Sequence, residues 1–280
     1  MNKTKIFIFT MVLLLTNNTF FQGQNIHNSY LQIQQPVSVG KGKLHIFPAP
    51  KRLSNGCIIM LIPGGRYARL AIDNEGFDWV PFLNSLGYTA TVLQYTMPKG
   101  IPEIPIRDAC EAMRYIRLHS KEWNIENAKV GVFGFSAGGH LASMMTELID
   151  SIERPDFAAL FYPVITMDSE NTHKASRENL FGEHATKQLE QQYSSQLHIS
   201  SNMPNIFMAL SADDRNVNPI NSLLFFQALI EKNNQSTLHI YPSGRHGWGF
   251  SSDFKYHDKM LYDLTLWLKE ISSNITPSKK

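Results

Sequence analysis

The chain has 280 residues, enough for one large α/β domain or at most two small ones. Hydrophobic residues make up 43% and charged residues 18%, which supplies a sizeable core and argues against disorder. The formal net charge is +2, too slight to point to nucleic acid or to an anionic membrane surface.

At the start, Lys3 and Lys5 precede the apolar run Ile6 to Leu15, and polar residues follow from Thr16. That run is too short to span a bilayer. The pattern predicts an export signal over residues 1–24, cleaved from a secreted or periplasmic chain. No stable membrane insertion is expected after cleavage. No cysteine lies near the segment, which argues against a lipid anchor. One folded domain, residues 25–280, is expected to follow, with no internal repeat or linker.

Lys43 to Phe47 reads as a strand ended by Pro48 and Pro50. Cys57 to Ile62 (CIIMLI) is a continuous apolar run, the pattern of a strand covered on both faces. It leads into Pro63-Gly64-Gly65-Arg66-Tyr67. A helix is expected over Phe77 to Leu86, stopped by Gly87, and a strand over Thr89 to Tyr95. Pro98 to Pro105 reads as a loop. Arg107 to His119 carries Ala109, Ala112, Met113 and Ile116 at helical spacing, with Cys110 in its first turn. The two cysteines, Cys57 and Cys110, fall at opposite ends of the expected sheet, so no bridge is predicted.

Val130 to Phe135 is the next buried strand, and Leu141 to Ile149 the helix after it. Ala158 to Val164 is a further buried run. Thr166 to Pro204 is polar and irregular, a loop with one or two small helices rather than a large lid. Ile206 to Leu210 and Leu238 to Tyr241 read as strands, Pro219 to Lys232 and Lys259 to Ile271 as helices. This alternation predicts an α/β fold with a mostly parallel, doubly wound sheet and helices on both faces.

Between the strand ending at Phe135 and the following helix lies GFSAGGH, residues Gly134 to His140. Strand, tight turn and helix with a serine at the apex form a nucleophile elbow. The flanking glycines allow strand and helix to approach, and Ser136 projects its hydroxyl. The N–H of Ala137 then points into an oxyanion hole. A serine hydroxyl needs a base, and the base needs an orienting carboxylate. Asp213 and Asp214 follow the strand IFMAL, and His246 follows LHIY between Gly244 and Gly247. All three sites fall at carboxyl ends of strands, where an open α/β sheet places its active site. The loop Pro63 to Arg66 supplies the second oxyanion N–H, from Gly65 or alternatively Arg66.

The combination PGGRY, NEGFDWVPFLNSLGYTATVLQY, AMRYIRLHSKEWNI, VGVFGFSAGGHLAS, SADDRNVNP and YPSGRHGWG resembles the α/β-hydrolase carbohydrate esterases. That group includes acetylxylan esterases and feruloyl-esterase-like enzymes. The resemblance runs from about Leu61 to Phe250. It implies an α/β-hydrolase catalytic domain with Ser136 as nucleophile and His246 as base. The family spacing of an Asp three residues before a Val selects Asp214, ahead of Val217, over Asp213. Asp213 is expected to accept N–H groups of its own loop. Two positions depart from the family pattern: Asn74 stands where relatives often carry His, and Arg66 where they often carry Gly.

The implied reaction is hydrolysis of small acyl esters, acetyl foremost, on plant-cell-wall carbohydrate such as xylan, without metal or cofactor. The partner is an acylated carbohydrate; nucleic acid is not one. Arg66, Tyr67 and Trp248 are candidate substrate contacts, with packing as the alternative for the two aromatics. Glu75 is a candidate for orienting the oxyanion loop. His140 falls inside the helix after the elbow and reads as a core residue. The remaining histidines, His173 among them, read as surface or packing residues. Two other readings stay open: a non-catalytic binding protein on the same fold, and an exopeptidase.

Overall fold

The computed structural model describes residues 35–126, 128–148 and 151–273; the expected export signal lies outside them. Among the described residues, eight strands form one sheet. They are β1 (Val37–Val39), β2 (Gly42–Phe47), β3 (Cys57–Ile62), β4 (Thr89–Gln94), β5 (Lys129–Phe135), β6 (Phe157–Phe161), β7 (Asn205–Ser211) and β8 (Thr237–Tyr241). The spatial order is β1-β2-β4-β3-β5-β6-β7-β8. β2 pairs antiparallel with both β1 and β4, and every pairing from β4 to β8 is parallel.

The helices are α1 (Val80–Ser85), α2 (Glu103–His119), α3 (Ala137–Thr146), α4 (Lys174–Phe181), α5 (Lys187–Gln192), α6 (Ile220–Glu231) and α7 (His257–Ser273). They divide between the two faces because strand residues alternate sides. Val130 and Val132 of β5 pack with Met113 of α2, Leu141 of α3 and Phe225 of α6. Phe133 and Phe135 point the other way. They meet Trp79, whose ring centroid lies 6.1 and 5.3 Å from theirs. On that face Trp267 of α7 packs on Phe157 and Phe207. Burying each such side chain is worth roughly 1.5–3 kcal/mol, so both layers contribute heavily.

Several boundaries differ from the sequence expectation, each for a local reason. α2 begins at Glu103, inside the stretch read as a loop, so Cys110 lies beyond the first turn. Pro105 is tolerated there because first-turn N–H groups have no intrahelical acceptor. β6 stops at Phe161 because Tyr162 turns to φ 38 and leaves the sheet. α3 starts immediately after Ser136. The short edge strand β1 carries too few residues for a periodic signal. Asp108 of α2, 1% exposed, fixes that edge. Its two oxygens accept the N–H groups of Lys41 and Thr96, each at 2.8 Å. Both cysteines are free thiols.

Candidate active site

Ser136 sits between β5 and α3 at φ 52, ψ −118, a sparsely populated conformation for a residue with a side chain. The neighbouring chain leaves no slack around it. A Cβ on Gly134 would lie 2.5 Å from Ala142 Cβ, and one on Gly138 only 2.0 Å from the Ile62 carbonyl oxygen. Glycine at both positions lets α3 approach the ends of β3 and β5. The backbone at the apex is held by neighbours: Ser136 N–H donates to the Phe161 carbonyl, and Val164 N–H to the Ser136 carbonyl, both at 3.0 Å.

His246 reaches Ser136 from the loop after β8. Its Nε2 lies 2.8 Å from Ser136 Oγ, and its Nδ1 lies 2.6 Å from Asp214 Oδ2. A carboxylate only accepts, so Nδ1 carries the proton. Nε2 is then the free lone pair facing the hydroxyl. The Asp214 side chain is 1% exposed. Its other oxygen accepts the N–H groups of Asn216 and Val217, at 2.9 and 3.0 Å. Those bonds fix the carboxylate and correct one expectation. The loop N–H groups go to Asp214, not to Asp213. Asp213 is exposed and instead accepts the N–H of Arg245 at 2.7 Å, across the site.

The loop after β3 folds back over the elbow. A Cβ on Gly64 would lie 2.8 Å from Ser136 Cβ, so the two loops are in contact. Gly64 N–H is already taken by Glu75 Oε2 at 2.7 Å. Gly65, at φ 130, and Ala137, at the start of α3, have no protein acceptor for their N–H groups among the described residues. Ala137 follows Ser136 directly, and Gly65 follows Gly64, the residue that touches the elbow. Gly65 needs its missing side chain: a Cβ there would lie 2.2 Å from the Arg69 carbonyl oxygen.

A buried network joins this loop to the histidine loop. Glu75 is 3% exposed. Its Oε1 accepts the Tyr162 hydroxyl at 2.9 Å, and the Tyr162 oxygen accepts Gly249 N–H at 2.8 Å. Burial pushes the Glu75 carboxyl up, while the Gly64 and Tyr162 bonds and the nearby His246 pull it back. Asn74 adds a second tie: its amide donates to Gly247 O and accepts from Phe250 N–H, both at 3.1 Å. The Tyr162 ring also lies edge-on to His246, centroids 4.8 Å apart. Sequence reasoning missed Tyr162; its only signal is its place just past a central strand.

Two candidate substrate contacts are core residues. Tyr67 is 2% exposed, packed edge-on to Tyr95 and His140. Trp248 is 5% exposed, stacked flat on Phe254 at 4.3 Å, with its indole N–H on Ser211 Oγ. Neither presents a face to a sugar. Tyr67 has a different task. Nε2 of His140 faces the Tyr193 carbonyl at 2.7 Å and must be the N–H. Nδ1 therefore accepts from the Tyr67 hydroxyl, at 2.8 Å, which ties the oxyanion loop to α3. Burial drives the His140 pKa down to about 4. Arg66, in contrast, is exposed at φ 65. A cavity of about 490 Å³ opens beside His246, lined by Asp213, Arg215, Asn216 and Arg245. A larger cleft of about 700 Å³ lies at the amino-terminal ends of the strands, by Lys129 and Asn205, away from Ser136.

The family described as BD-FAE matches residues 44–229. An acetylxylan esterase of Xylanibacter ruminicola is 40% identical over 221 residues, covering 78% of this chain and 46% of that protein. The chain belongs to the BD-FAE family. Endo-1,4-beta-xylanase B of Butyrivibrio fibrisolvens is 30% identical over 210 residues, 70% of this chain and 33% of that protein. This BD-FAE chain thus spans less than half the length of either relative. Among solved structures, the acetyl ester-xyloside bifunctional hydrolase from Caldicellulosiruptor lactoaceticus matches with a TM-score of 0.75 and 37% identity, covering 82% of this chain and 88% of that one. The carboxylesterase Cest-2923 from Lactobacillus plantarum, 18% identical at a TM-score of 0.72 over 86% of this chain and 98% of that one, shares the α/β-hydrolase fold.

Proposed function

We propose that the chain is a carbohydrate esterase that removes small acyl groups, acetyl foremost, from plant-cell-wall polysaccharide such as xylan. The contact of Ser136 with His246 and of His246 with Asp214 carries this reading. Family membership and the named activities of the 40% and 37% identical relatives supply the substrate class. The Lys3 to Leu15 segment supports action outside the cytoplasm.

In this reading His246 Nε2 takes the Ser136 proton as Oγ attacks the ester carbonyl. The carbonyl oxygen becomes an oxyanion, held by the N–H groups of Gly65 and Ala137. Asp214 holds the tautomer of His246 and stabilises the imidazolium. The imidazolium gives its proton to the sugar oxygen as the C–O bond breaks, leaving acyl-Ser136. Water, losing a proton to His246, attacks the acyl carbon and releases the acid. His246 then returns the proton to Ser136 Oγ.

Ser136→Ala tests this. It removes one oxygen and should cut acetate release from acetylated xylan on the order of 10⁶-fold with the fold intact. Mass spectrometry of quenched wild-type enzyme should find the acetyl group on the Ser136 peptide. A variant retaining a few per cent of wild-type turnover would remove Ser136 as nucleophile.

A further inference from the structure

Three arginines surround the mouth of the site, one from each of its three loops. Arg66 follows Gly65, Arg215 follows Asp214, and Arg245 precedes His246. All three are exposed. Elsewhere the guanidinium groups of Arg114, Arg117, Arg154 and Arg177 each engage an acceptor, while the exposed Arg52, Arg69 and Arg107, scattered away from one another in sequence, engage none among the described residues. Among the described residues, no acceptor engages those of Arg66, Arg215 or Arg245. Asp213, an exposed carboxylate lining the same cavity as Arg215 and Arg245, accepts the Arg245 backbone N–H through one oxygen.

The backbone adds an independent observation. Arg66 and Arg245 sit at φ 65 and φ 58. Glycine is the ordinary residue in that region, and other side chains carry a steric cost there. The chain keeps an arginine at both positions, each one residue from a group of the reaction centre. Backbone strain retained at a site points to a functional use of the side chain. The field is felt by a neighbour as well: His173, at the start of α4, is held below its ordinary value by burial, then by His246 and Arg66.

The cluster is local. The whole chain carries a formal net charge of only +2. Arginine offers a planar fork that matches a carboxylate bidentately. The acyl half of the ester must enter between Ser136, Gly65 and Ala137. Arg215 and Arg245 line the cavity at His246, where the saccharide half would lie, and Arg66 follows Gly65 on the facing loop. We propose that Arg66, Arg215 and Arg245 select acylated saccharides bearing a carboxylate, a uronic acid unit next to the esterified sugar. The inference rests on the esterase reading and specifies its substrate.

The test compares two acetylated xylo-oligosaccharides that differ only in a uronic acid branch beside the acetylated unit, with p-nitrophenyl acetate as a third substrate. At low ionic strength kcat/KM should favour the acidic oligosaccharide by about tenfold, through KM. The preference should shrink towards parity near half-molar salt, where the screening length is only ~3–5 Å. Arg66→Gln, Arg215→Gln and Arg245→Gln should each lower the acidic-to-neutral ratio about threefold, and the triple variant should abolish it. Arg66→Gly and Arg245→Gly should lower the ratio likewise while raising the melting temperature, because glycine relieves the backbone. Equal kcat/KM on both oligosaccharides, with both turned over, overturns the inference and leaves the esterase reading standing. A preference that survives the triple variant overturns it too. No turnover of any of the three substrates overturns the esterase reading itself.

Discussion

Glu75→Gln separates positioning of the oxyanion loop from simple packing. Glu75 gives one oxygen to Gly64 N–H at 2.7 Å and the other to the Tyr162 hydroxyl at 2.9 Å. Glutamine keeps the size but has one acceptor. Its oxygen can keep Gly64, and its amide then faces Tyr162. A hydrogen bond to a charged group is worth about 1.5–3 kcal/mol and a neutral one about 0.5–1.5, so the Gly64 tether weakens by roughly 1–1.5 kcal/mol. Gly64 is bonded in sequence to Gly65, whose N–H is the proposed oxyanion donor. Displacing that donor fully costs about 10²–10³-fold, which sets the ceiling. A loss of about tenfold in kcat/KM is expected for the weakened tether, since 1.36 kcal/mol is tenfold in rate. The pH dependence distinguishes the role. Burial raises the Glu75 carboxyl above its ordinary value of 4.5, and glutamine mimics the protonated form. As pH falls through that raised value, wild type should converge on the variant. Stability should move the other way. An acid with a raised folded value favours the folded state at low pH and loses that contribution as pH rises, so the variant gains relative stability towards neutral pH. Steady-state kinetics and urea melts across pH check both. A variant within twofold of wild type, or a rate deficit that is constant with pH, would refute the reasoning.

Asp214→Asn should lose about 10⁴-fold in turnover, because the orienting carboxylate fixes the His246 tautomer. Asp213→Asn should stay within a few-fold of wild type and cost less than about 1 kcal/mol, since its one bond to Arg245 N–H is at the surface. Kinetics on both folded variants decides this; the opposite ranking reverses the assignment. His140 makes the folded state acid-sensitive. The unfolded chain binds a proton near 6.5, whereas folded His140 resists it until about 4. Its contribution is therefore complete above 6.5 and is lost as pH falls through that window, on the order of 3 kcal/mol by its lower end. His140→Gln should flatten that part of the urea stability profile; an unchanged slope would show that His140 does not carry it.

Strand and helix identity was legible wherever burial imposes a period. The run CIIMLI has no polar position because β3 is covered on both faces, and every residue in it is buried. The elbow was legible because its glycines are sterically compelled. Side-chain fate was not legible in the same way. Tyr67 and Trp248 are aromatic residues near reactive loops, and sequence cannot tell which face a loop residue presents. The structure turns both inward, because Tyr67 finds His140 and Trp248 finds Phe254. Nor could Tyr162 be read. Its bond to Glu75 spans 87 positions, and no spacing rule connects residues that only the sheet brings together.

The two departures from the family pattern acquire physical meaning from their surroundings. Asn74 offers a donor and an acceptor on one short amide, and both are used, on Gly247 O and Phe250 N–H. These partners lie just past His246, so Asn74 holds the loop that carries His246. The next residue, Glu75, holds the oxyanion loop through Gly64. Two consecutive side chains thus tie the loop of His246 and the loop of Gly65, the proposed base and oxyanion donor, from opposite sides. Among the described residues no acceptor fixes the guanidinium of Arg66, which stands one residue from Gly65. A residue held in a strained backbone conformation with an unengaged cation contributes little to the fold. Its charge is available to a ligand, and the proposed carboxylate-bearing substrate is where it would be used.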